Sequence, residues 1–102
     1  MKKSINNLSF DEIFAERGER INGTEMVKGE IYLNTGSNNE ISNILRFYEF
    51  DKPNHIVSSE TLFESGNFYF ETSAHSVMYK YSLFYTATKN QIALLNSYIS
   101  ES

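Results

Sequence analysis

The stretch Asn67-Phe68-Tyr69-Phe70-Glu71-Thr72-Ser73-Ala74-His75-Ser76-Val77-Met78-Tyr79-Lys80-Tyr81 decides the fold. Phe68 and Phe70, then Tyr79 and Tyr81, recur at every second position on either side of a small polar turn. That is the period of strands with one buried face. The stretch is the densest part of a wider bunching, since eleven of the fifteen Phe and Tyr residues lie between Phe47 and Tyr85.

The turns on either side set a register. A two-residue loop inside Ser73–Ser76 pairs Thr72 with Val77, Phe70 with Tyr79 and Phe68 with Tyr81, all on one face. Each aromatic pair contributes about 0.2–1 kcal/mol over an Ala pair. A one-residue slip would bring aromatics to both faces. The same geometry at Ser65-Gly66 pairs Phe63 with Phe68 and Thr61 with Phe70. The outer face then sets Leu62 against Tyr69 and Glu60 against Glu71, with Lys80 beside Tyr69. Like charges directly opposed are mildly destabilising. Glu60, Leu62, Tyr69, Glu71 and Lys80 are therefore the candidate partner-binding residues, with Tyr69 as an aromatic anchor.

Outward from this hairpin, His55 to Phe63 reads as a strand, and Asp51-Lys52-Pro53-Asn54 breaks the chain before it. The run Ile41 to Phe50 is ambiguous. Ile41, Ile44, Leu45 and Tyr48 have helical spacing, but the aromatic content favours a strand over 43–50. Val27 to Asn34 alternates as another strand, ended by the turn cluster Thr35-Gly36-Ser37-Asn38-Asn39. The last strand of the set is 76–86. Residues 1–8 read as a loose lead. Two capping boxes then announce helices. Ser9 with Glu12 opens one, with an apolar stripe of Phe10, Ile13, Phe14 and Ile21, weakened at Gly18 and ended at Asn22-Gly23. Thr88 with Gln91 opens the other, from Lys89 to Ile99, with Ile92, Leu95 and Ile99 as its stripe. The sequence thus predicts a single α+β domain over 1–102. Its element order is α-β-β-β-β-β-α: a five-stranded antiparallel meander with both terminal helices on one face.

The chain of 102 residues is 40% hydrophobic, which argues against disorder, and carries a net charge of −4. Its nine Lys and Arg are scattered, so direct nucleic-acid binding is disfavoured. An acidic surface suits a basic partner protein instead. There is no cysteine, which excludes disulfides and thiolate zinc sites. No apolar run follows the N-terminal lysines, and no stretch approaches a membrane span, so the expected location is the cytosol.

The residues form no catalytic constellation. His55 starts a strand, and His75 sits in a turn between Ser73 and Ser76, which does not make a triad. No two His stand at a metal-binding spacing, and Glu60 with Glu71 offers a cation only two carboxylates. The glycines form no phosphate loop, and no cofactor is implied. The mixed-charge run Glu16-Arg17-Gly18-Glu19-Arg20 reads as a solvated helix end. These features point to a non-enzymatic acidic binding protein, an inhibitor that blocks a basic, nucleic-acid-acting partner. A bacterial toxin immunity protein and a phage anti-defence inhibitor are its two forms. The alternative is a small-ligand-binding sheet domain, in which Tyr79, Tyr81 and Tyr85 would line an aromatic cavity. An exposed edge strand also allows a homodimer.

Overall fold

The computed structural model describes residues 7–36, 42–51, 55–64, 69–72, 75–78 and 82–100. Its elements are α1 (Phe10–Ala15), β1 (Arg20–Ile21), a single 3-10 turn (Gly23–Glu25), β2 (Ile31–Gly36), β3 (Ser42–Phe50), β4 (His55–Phe63), β5 (Tyr69–Glu71), β6 (His75–Met78), β7 (Ser82–Thr86) and α2 (Lys89–Ile99). The α+β class, the antiparallel sheet and a helix near each end are as the sequence predicts. Residues 42–50 are strand, so aromatic content did outweigh the helical spacing there.

The strand count and order differ from the predicted five-stranded meander. Six strands of three residues or more are joined by the two-residue β1, in the order β1-β7-β2-β3-β4-β5, with β6 also on β4. The predicted fifth strand, 76–86, is divided between two places. Its first part, β6, pairs with the start of β4, and its last part, β7, pairs with β2. Among the described residues β5 and β6 do not pair with each other as the predicted hairpin requires, and Tyr79, expected opposite Phe70, lies outside them. β5 and β6 instead lie one after the other along β4, Thr61 opposite Glu71 and Ser58 opposite His75. Turn residues such as Ser and Ala signal a break in a strand but not a reversal of its direction.

This arrangement forces the sheet to curl. Met78 ends β6 and Ser82 begins β7, and four residue steps span at most about 14 Å. In a flat sheet the four strand spacings between β6 and β7 would alone hold them about 19 Å apart. Curling gives the sheet two buried faces where the sequence predicted one. On the outer face Leu33, Ile44 and Leu62 pack with Phe10, Ile13 and Phe14 of α1 and Leu94 and Leu95 of α2. On the inner face Tyr32, Leu45, Phe47, Ile56 and Phe84 gather with Met26. Full burial of such side chains stabilises by about 1.5–3 kcal/mol each.

Both helices start where their capping boxes place them. α1 stops at Ala15, short of Asn22, and Ile21 belongs to β1 rather than to the α1 stripe. Gly18 lies where the connector crosses β7: a Cβ there would run into the Thr86 carbonyl. Leu8, assigned to the loose lead, packs against the outer core, while residues 1–6 lie outside the described residues. α2 buries Gln91, Leu94 and Leu95 and packs Ile99 on the outer core, so Leu95 and Ile99 of the predicted stripe hold, while Ile92 is exposed because the buried face is rotated towards Gln91.

Gln91 explains that rotation. Its Oε1 accepts from the Thr88 backbone at 3.0 Å, closing the cap of α2. Its Nε2 donates to the carbonyls of Ile13 and Glu16 at 2.9 and 2.8 Å, satisfying the end of α1. The Glu16 carboxylate in return accepts from the side chains of Thr88 and Asn90, at the end of α2 that favours negative charge. Glu16-Arg17 is thus a helix joint, not a solvated end.

Two tests follow from this packing. Gln91→Leu fills the space but removes three hydrogen bonds, from Nε2 to the Ile13 and Glu16 carbonyls and from the Thr88 N–H to Oε1, and urea unfolding should show a loss of about 2–4 kcal/mol. Glu64 has its carboxyl held above the ordinary carboxylate value, first by burial and then by the nearby charge of Asp11, with Arg17 opposing. A raised carboxyl favours the fold while protonated, and that advantage is lost as pH rises through its folded value. Glu64→Gln should therefore melt above the wild type at pH 7 and lose that advantage at pH 3.

Candidate functional site

The β3–β4 ladder is interrupted twice. Leu45 pairs with Thr61 and Phe47 with Ser58, so Arg46 faces both Ser59 and Glu60. Phe47 pairs with Ser58 and Glu49 with Val57, so Tyr48 has no opposite residue. The first is a bulge on β4 and the second a compensating bulge on β3, after which the original register resumes. Bulges of this kind re-aim a side chain and are common beside functional sites.

Each side of the β4 bulge is clasped. On the inner face the hydroxyls of Ser58 and Thr61, both buried, lie 2.7 Å apart. On the outer face Arg46 Nε donates to Glu60 Oε1 at 2.7 Å. Arg46 also donates from Nη1 to the Gly29 carbonyl and reaches Asn96 of α2 with Nη2.

Gly29 belongs to the turn Val27–Glu30, closed by Glu30 N–H donating to the Val27 carbonyl at 3.1 Å. Its φ of 91° at the third position is the one a type II turn demands of glycine. The turn is fixed at its start by the Tyr32 hydroxyl, which accepts from Val27 N–H at 2.8 Å. It is fixed in its middle by Gly29 N–H donating to the Phe47 carbonyl at 2.8 Å. Lys28, second in the turn, is thereby carried over the Tyr48 ring, with Nζ 4.6 Å from the centroid.

Tyr48 is 43% exposed, Phe50 44% and Val27 58%. Phe50 leans on Phe47 at 4.9 Å between ring centroids, at the open end of the inner core. Glu30 of the turn, Glu49 of β3 and Asp51 just after it are also exposed. Tyr48 and Phe50 are thus accessible rings on a strand end that also carries exposed carboxylates, and a lysine ammonium already lies over the face of Tyr48. This arrangement can grip a positively charged group by contact with a ring face and by charge.

The residues singled out in the sequence are dispersed. Leu62 is fully buried in the outer core opposite Phe70, so it is no surface anchor. Glu60 is half-buried and engaged by Arg46, and Glu71 faces Thr61 rather than Glu60. The predicted opposition of glutamates fails because β5 pairs one residue out of the inferred register. Tyr69 stands opposite Phe63, and Lys80 lies outside the described residues. Tyr79 and Tyr81 of the cavity alternative also lie outside them, while Tyr85 packs on the outer core under the Arg17 guanidinium. The sequence reading missed Tyr48 as a surface residue, because strand alternation gives no sign of a bulge.

Among the described residues no three His, Asp or Glu side chains are grouped to hold a metal ion, and no helix is long and apolar enough to cross a membrane. No family model, curated protein or solved structure matches the chain.

The inner clasp has a measurable signature. Thr61→Val and Ser58→Ala should each destabilise, and their double-mutant cycle in urea should give a coupling of about 1 kcal/mol.

Proposed function

We propose that this protein is a non-enzymatic acidic binding protein that inhibits a basic, nucleic-acid-acting partner by covering its working surface, and that it acts in the cytosol. Its docking surface is the β3 bulge with the turn beside it, which replaces the Glu60–Glu71 face suggested by the sequence. The observation that carries this is Tyr48, which the β3 bulge leaves without an opposite residue and which is exposed on a strand that also carries the exposed Glu49 and leads into the exposed Asp51. An aromatic ring of this kind is the commonest sort of interface anchor. Exposed carboxylates on these segments speed encounter with a basic surface and disfavour acidic ones. The net charge of −4 supports the same choice of partner. Toxin immunity and phage anti-defence inhibition are the two biological settings that fit.

The test is affinity capture from the native host with the wild-type protein and with Tyr48→Ala/Glu49→Lys. The wild type should retain a basic protein that elutes as salt is raised. The double variant should lose it by at least tenfold while its thermal midpoint stays within a few degrees. Equal retention by both proteins would remove the proposed surface.

A further inference from the structure

The turn that carries Lys28 over Tyr48 has no evident need of a lysine. Gly29 sets its shape, Tyr32 and Phe47 hold its backbone, and Arg46 ties it to β4. The Lys28 side chain is exposed and is bound to the turn only through its own flexible stem. Its ammonium nevertheless rests on the one ring that the β3 bulge brings to the surface.

We infer that the Tyr48 face is a seat for a cationic side chain, filled by the protein's own Lys28 until an Arg or Lys of the partner displaces it. This rests on the docking surface proposed above and adds how that surface recognises its partner. A ring face attracts a cation only weakly at an exposed site, so the internal occupant leaves easily. Arginine is the better competitor, because its planar guanidinium stacks on the ring and sheds water more readily than an ammonium. Glu30, two residues after Lys28, and Glu49, next to Tyr48 on β3, are exposed carboxylates on the two segments that form the seat and add to its attraction for a cation. Lys28 also repels the incoming charge until it moves aside, so it sharpens selection in favour of cations that bind the seat well.

The experiment measures binding of a short, capped arginine-rich peptide by calorimetry at low salt. It uses the wild type, Lys28→Met, Tyr48→Leu and the two combined, all at exposed positions and each checked by thermal melt. Lys28→Met should bind about 2–5-fold more tightly, since it removes both the occupant and its repulsion. Tyr48→Leu should weaken binding, and the double variant should lose most of the gain from Lys28→Met. A lysine-rich peptide of equal charge should bind the wild type more weakly than the arginine-rich one. If Lys28→Met binds no more tightly while Tyr48→Leu still weakens, the self-occupied seat is wrong and the docking surface stands. If Tyr48→Leu also changes nothing, both are wrong.

Discussion

The structure depends on the pairing of β3 with β4. Both cores are attached to it: Ile44 and Leu62 face the helices, while Leu45, Phe47 and Ile56 face the interior of the curled sheet. β2 joins one side of the pair, and β5 and β6 join the other. Two compensating bulges let this ladder bend without losing its register beyond them. The bend has a cost in unpaired backbone, and the clasps Ser58–Thr61 and Arg46–Glu60 offset it on opposite faces. Tyr48 reaches the surface as a product of the same geometry.

The helix joint is the second constraint. Sealing the outer core needs α1 and α2 side by side, although they lie at opposite ends of the described chain. Gln91 and Glu16 make the two helix ends satisfy each other, where water would otherwise have to reach buried carbonyls. Arg46 extends the connection by touching Glu60, the Gly29 turn and Asn96 of α2. The helical layer is thereby tied to the proposed docking surface through one side chain.

Much of the scaffold was legible in the sequence. The capping boxes at Ser9 and Thr88 fixed both helix starts, because a cap is local chemistry. Aromatic and β-branched runs located β3 and β4, whereas the strand expected over Val27 to Asn34 begins only at Ile31 and runs through Thr35 and Gly36, because Gly29 turns Val27–Glu30 back on itself. The rest of what failed was non-local. Nothing in Ser73-Ala74-His75-Ser76 shows that the chain continues along β4 instead of turning back. The one-residue difference at β4–β5 changed the neighbours of Leu62 and Glu71. Leu95 and Ile99 of the predicted α2 stripe do face the outer core, but Ile92 does not, because the buried position beside it is taken by Gln91, a polar residue. The proposed docking surface was not legible at all, since a bulge is a relation between two strands and Tyr48 alone reads as ordinary alternation.

The claim that matters most is that a partner meets the β3 bulge and its neighbouring turn. Hydrogen exchange read by mass spectrometry, on the protein free and bound to its captured partner, tests it without any substitution. Exchange should slow at residues 27–30 and 46–51 and stay unchanged along β5 and β6. Slowing confined to 69–78, with 46–51 unaffected, would contradict it and move the working surface to the far side of β4.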